Sequence, residues 1–100
     1  MSTLRGSADI TMNWLVYIIE ASDDTLYTGI TTDLERRFQQ HLNGSGAKYF
    51  KGRRPVRFVF TENNHTRSSA SIREAQIKKL SRASKKDLIT KSPTKPCLNQ

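Results

Sequence analysis

Trp14-Leu-Val-Tyr17-Ile-Ile-Glu-Ala-Ser-Asp-Asp-Thr-Leu-Tyr27-Thr-Gly29-Ile-Thr-Thr-Asp-Leu-Glu-Arg-Arg37-Phe-Gln-Gln-His41 decides the fold. Trp14–Glu20 and Leu26–Ile30 are rich in β-branched and aromatic residues and flank the acidic turn Ser22–Thr25, the pattern of a β-hairpin. Tyr17 and Tyr27 both stand at odd positions, so an even-sum register sets them on one face of the hairpin. Behind it, Thr32 followed by Glu35 forms a capping-box pattern, and Leu34, Phe38, His41 and Leu42 recur at helical spacing. Asn43-Gly44 supplies the stop, which predicts a helix over Asp33–Leu42 with Arg37 and His41 one turn apart.

Outward from this core, Gly44–Pro55 holds three glycines and a proline and reads as a loop, with Lys48, Lys51, Arg53 and Arg54 around Tyr49 and Phe50. Val56–Thr61 is apolar and β-branched and reads as the third strand, with Glu62–His65 as a turn. Ser68 is placed to cap a helix running to about Leu80, with Ala70, Glu74, Ile77 and Leu80 or Ser81 on one stripe. Ser84 is placed to cap a short third helix over Lys85–Thr90. The expected architecture is an α+β domain at 14–91, a three-stranded antiparallel β-sheet flanked by helices. It sits between a flexible leader at 1–13 and a flexible tail at 92–100.

Net charge is +8 over 100 residues, but it is unevenly spread. Residues 1–47 hold three Lys/Arg against six Asp/Glu, whereas residues 48–100 hold fourteen against three. A basic half of this kind suits a phosphate-backbone partner, and a solubilising surface is the plainer alternative. The longest apolar run, Trp14–Ile19, is far short of the roughly 20 residues of a membrane span. The single cysteine, Cys97, has no internal disulfide partner, and no Cys/His cluster suggests zinc. A cytoplasmic setting is the expectation.

Several residues admit two readings. Tyr17 and Tyr27 are either packed strand aromatics or a catalytic pair; Gly29 weakens a strand interior and often marks a close approach of another group. Arg37 taken alone reads as a solvated helix charge, as its neighbour Arg36 does. Glu74 lies between Ala70 and Ile77 on the apolar stripe, where an unpaired charge is costly, so it needs a cation. That cation is either Lys78 or Arg37 in an ion pair, or a metal.

The phrase Tyr-x-Gly-x-Thr-x-Asp-Leu-x-x-Arg from Tyr27 to Arg37 resembles the GIY-YIG nuclease superfamily. Ala70-Ser-Ile-Arg-Glu-Ala-Gln-Ile-Lys78 resembles that family's Ala-Leu-x-x-Glu-x-x-Ile-Lys segment, and Leu80-Ser-Arg-Ala-Ser-Lys85 points to its small stand-alone YhbQ-like group. The resemblance implies a metal-dependent endonuclease, structure-selective on DNA and linked to DNA repair or processing. Tyr17, Tyr27, Arg37, His41 and Glu74 would be its catalytic residues, with Glu74 the ligand of Mg²⁺ or Mn²⁺. Gly29, Lys48, Lys51, Arg53, Arg54 and Lys78 would line the substrate path. The implied partner is nucleic acid, DNA before RNA, with a protein partner for targeting. The alternative is a nucleic-acid-binding module that cuts little or not at all. Departures from the pattern are Val16-Tyr-Ile18 in place of the first tripeptide, Ile30 where some relatives have Lys, and Asn99 far downstream of the usual Asn.

Overall fold

The computed structural model describes residues 12–44, 48–50 and 52–91. The 92–100 tail, Asn99 with it, and all but the last two residues of the 1–13 leader lie outside them. Strands β1 (Trp14–Ala21), β2 (Leu26–Thr31) and β3 (Pro55–His65) form one antiparallel sheet in the order β2-β1-β3. Helices α1 (Leu34–Leu42), α2 (Arg67–Lys78) and α3 (Arg82–Lys91) complete the expected α+β arrangement, with a 3₁₀ turn at Lys48–Phe50.

The hairpin is closed by Ala21 N–H donating to Thr25 carbonyl (2.9 Å) and Asp24 N–H donating to Ala21 carbonyl (2.9 Å). Asp24 sits at φ 68°, a left-handed conformation that Asp tolerates better than most residues. The register pairs Tyr17 with Gly29 and Ile19 with Tyr27, so both tyrosines share a face. Because side chains alternate, β1 feeds two cores. Val16 and Ile18 join Phe60, Ala70 and Ile77 beneath α2 and α3, while Tyr17, Ile19 and Ala21 join Phe50 on the face covered by α1. Each fully buried Val, Ile or Phe contributes about 1.5–3 kcal/mol of transfer free energy.

β3 is longer than the sequence suggests. Its pairing with β1 shifts register between Trp14 and Val16, between Ile18 and Ile19, and between Glu20 and Ala21. The middle shift has a direct effect on the site. Phe60 lies opposite Ile18 but Phe58 lies opposite Ile19, so two phenylalanines that would share a face enter different cores. Glu62–His65 is strand and not turn, because the pairing of Trp14 with His65 holds it in the sheet.

The helix starts differ by small amounts from the expected ones. Asp33, not Thr32, caps α1 by accepting from Arg36 N–H at 3.0 Å; a carboxylate at this position also meets the positive end of the helix dipole. Thr66, not Ser68, caps α2 in a capping box with Ser69, since β3 runs on to His65 and the helix must begin at once. The Ser81 hydroxyl accepts from Ser84 N–H at 3.1 Å, so α3 starts at Arg82.

Candidate active site

Tyr17, in the central strand, is 1% exposed, and its hydroxyl lies 2.9 Å from Nε2 of His41. His41 reaches it from the last turn of α1 and is itself 2% exposed. The ring of Tyr17 lies over Gly29, its cross-strand partner. A Cβ on Gly29 would overlap the Tyr17 hydroxyl and lie 2.6 Å from Cζ. Glycine is needed here for close approach, and the approaching group is the catalytic candidate itself.

Phe50 and Phe58 complete the seat. Phe58 meets Tyr17 edge-on at 5.5 Å between centroids, and Phe50 lies tilted against His41 at 4.6 Å and edge-on to Tyr27 at 5.1 Å. Tyr27 meets His41 edge-on at 5.3 Å and lies diagonally from Tyr17 at 6.2 Å. Phe50 is buried, so its part in the basic loop is packing. The seat shared by Tyr17 and His41 is not legible in the sequence, because it depends on a loop residue and on a strand bulge.

Burial sets the electrostatics. It pushes the Tyr17 phenol well above its ordinary range; Tyr27 and Glu74 add to this and Arg37 opposes it. Burial, and then the Arg37 guanidinium, lower His41 to about 4, so the imidazole is neutral at pH 7. Arg37 is half-buried on the same helix, and its Nη1 donates to Gln40 Oε1 at 3.1 Å. Arg37 Nε and His41 Nδ1 are buried polar atoms with no hydrogen-bond partner among the described residues. Gln40 is absent from the residues singled out by sequence, although its place three residues after Arg37 on one helix face is an available signal.

Glu74 projects from α2 and is paired with Lys78, Nζ to Oε2 3.2 Å, one turn away. Of the two ion-pair partners the sequence offers, the structure selects Lys78. The same ammonium lies 6.0 Å from the centroid of Tyr27, which brings the end of α2 to the tyrosine cluster. Among the described residues no three His, Cys, Asp or Glu side chains gather into a ready metal cage. A single half-buried carboxylate nevertheless suits Mg²⁺ or Mn²⁺, which keep several waters and bind through one or two carboxylates plus phosphate.

The expected substrate-path residues are dispersed. Gly29 is buried beneath Tyr17, and Lys48 is exposed at the start of the 3₁₀ turn. Arg53 pairs with Asp23 at 2.9 Å. The exposed Arg54 accepts from Ser22 N–H at its carbonyl (2.8 Å) and donates its own N–H to Ser22 Oγ (2.9 Å), which pins the loop to the hairpin turn. Lys51 lies outside the described residues. No described helix is long and apolar enough to cross a membrane.

Comparison with known proteins places the chain in a family. The GIY-YIG catalytic domain matches residues 13–87. The UPF0213 protein of Syntrophus aciditrophicus is 54% identical over 79 residues, covering 78% of this chain and 91% of that one. The UPF0213 protein of Photorhabdus laumondii is 44% identical, covering 80% and 77%. Among solved structures, the solution NMR structure of a UPF0213 protein from Bacillus halodurans aligns with a TM-score of 0.51 at 44% identity, covering 79% of this chain and 84% of that one. The chain belongs to the GIY-YIG family, in its small UPF0213 group.

Proposed function

We propose that this protein is a divalent-metal-dependent endonuclease that hydrolyses phosphodiester bonds in DNA, selecting by structure and serving repair or processing. The observation that supports it best is the buried Tyr17–His41 hydrogen bond with Arg37 beside it and Glu74 within electrostatic reach. A tyrosine needed only for packing requires neither a carboxylate nor a guanidinium within electrostatic reach.

His41, neutral at pH 7, holds the Tyr17 hydroxyl in place. In the tautomer with the proton on Nε2, His41 donates to Tyr17 and only an acceptor, Nδ1, is left unmet in the interior. The Tyr17 O–H is then left to donate to a water or a phosphate oxygen drawn in beside it. Tyr27, on the same face, helps to order that water and, as the phenolate, takes its proton to become the phenol. A free phenol has a pKa near 10, so positive charge nearby must assist. Arg37 supplies part of it; its buried Nε–H lacks an acceptor among the described residues, a need that a phosphate oxygen meets as charge develops in the transition state. Glu74 would hold the divalent ion, which when bound stabilises charge on the phosphoryl group. Lys48, Arg54 and the lysines near the end of α2 would grip the flanking phosphates without reading bases.

A binding module without cleavage is the second reading, favoured by the pairing of Glu74 with Lys78. A cleavage assay with Mg²⁺ or Mn²⁺ on branched, duplex and single-stranded DNA and RNA separates the two. Cleavage by the wild type that is lost in Glu74→Ala while binding survives is the expected result. Binding without turnover in both proteins would replace the nuclease reading with the module.

A further inference from the structure

We infer that Lys78 is an internal stand-in for the divalent ion, so that metal and nucleic-acid phosphate bind cooperatively by drawing it off Glu74; this rests on the reading of Glu74 as the metal ligand. Lys78 and Glu74 lie one turn apart on α2 with Nζ 3.2 Å from Oε2, and the same Nζ lies 6.0 Å from the Tyr27 ring centroid. The Lys78 side chain is 52% exposed, so it is free to swing, whereas that of Glu74 is 24% exposed and has much less freedom to follow.

Without a metal the ammonium serves three ends. It neutralises a half-buried carboxylate, lies against the π-face of Tyr27, and keeps positive charge next to the phenols. A divalent ion cannot share this carboxylate with an ammonium in contact without repulsion, so loading requires Lys78 to leave. A solvent-exposed lysine leaves cheaply, because an exposed (i, i+4) pair is worth only a few tenths of a kcal/mol. A substrate phosphate gives the displaced ammonium a new partner. Phosphate therefore favours metal loading and, by linkage, bound metal favours phosphate to the same degree. The bare protein would take up divalent ions poorly and load in the presence of nucleic acid.

The test is Mn²⁺ titration by calorimetry or by loss of the free-ion EPR signal. It uses the full chain, with and without an uncleavable phosphorothioate duplex, for wild type, Lys78→Met and Glu74→Gln. Methionine keeps the length and apolar stem of lysine at an exposed position, so the fold is not at stake. Removing one unit charge beside a divalent ion in largely solvated surroundings should tighten Mn²⁺ binding to the bare protein on the order of threefold to tenfold. The duplex should tighten it in wild type and have a smaller effect in Lys78→Met. Loss of binding in Glu74→Gln together with an unchanged or weaker Mn²⁺ affinity in Lys78→Met would overturn the role of Lys78 while leaving Glu74 as ligand. Unchanged binding in Glu74→Gln, or no Mn²⁺ binding by any of the proteins with or without duplex, would overturn both.

Discussion

Replacing Gly29 by alanine sets two physical effects of opposite sign against each other. Alanine in a strand lowers the entropy of the unfolded chain and by itself stabilises by about 0.4–1 kcal/mol. Against this, the new methyl would overlap the Tyr17 hydroxyl and come within 2.6 Å of Cζ and 3.1 Å of Cε2. Tyr17 has nowhere to go: it is 1% exposed, bonded to His41 and faced by Phe58. Overpacking of this kind costs about 1–3 kcal/mol, and tearing the hydroxyl from a buried partner costs about 1–3 kcal/mol more. The net expectation is a loss of about 2–4 kcal/mol. Urea denaturation of wild type and Gly29→Ala reads this directly, and at roughly 4–8 °C per kcal/mol the thermal midpoint should fall by about 8–32 °C. The variant should also lose cleavage activity, because the seat of Tyr17 is altered. A neutral or stabilised Gly29→Ala would show that the tyrosine ring does not rest on this glycine.

Other perturbations test the neighbouring groups. Tyr17→Phe keeps the ring but leaves His41 without its partner; stability should fall by roughly 1–3 kcal/mol and cleavage by about 10²–10⁴-fold, and full activity in a folded Tyr17→Phe would remove the hydroxyl from the mechanism. His41 takes up a proton near 6.5 when unfolded and only at about 4 when folded, so the stability tied to its neutral form is complete above pH 6.5 and drains as pH falls toward 4. His41→Phe should flatten this decline in urea midpoints over that window, and parallel curves for the two proteins would contradict it. Arg37→Lys keeps the charge but not the planar fork, and kcat should drop about 10²–10³-fold with little change in fold as read by circular dichroism. Lys48→Gln with Arg54→Gln should make the dependence of log affinity on log salt shallower, by about 0.7–0.9 for each phosphate no longer neutralised; an unchanged slope would place the backbone track elsewhere.

Much of the architecture is open to reading because its signals are local. The hairpin register follows from a short turn and alternating side chains, so the shared face of Tyr17 and Tyr27 can be read from residue parity. Helical spacing alone places Arg37 and His41, and Glu74 stands out as a carboxylate on an apolar stripe. What escapes is non-local. The extent of β3 depends on the pairing of Trp14 with His65, and the place of Phe58 depends on a register shift that breaks the alternation a sequence reading relies on. The start of α2 differs for the same reason, since the longer strand delivers Thr66 to the capping position. The close packing of Tyr17 on Gly29 is legible only as a glycine in an unusual place; which group approaches it is a property of the folded sheet.

The three register shifts of β3 bear on how this molecule meets copies of itself. β3 is an edge strand of eleven residues, and a straight edge of that length is a template for intermolecular pairing. Each shift interrupts the regular spacing of donors and acceptors and adds local twist, so a second strand finds no long uninterrupted ladder to join. The irregularity that turns Phe58 toward Tyr17 thus also guards the chain against aggregation. Deleting Val59 would remove the middle shift, and is expected to scramble the site and to lengthen the regular stretch of edge.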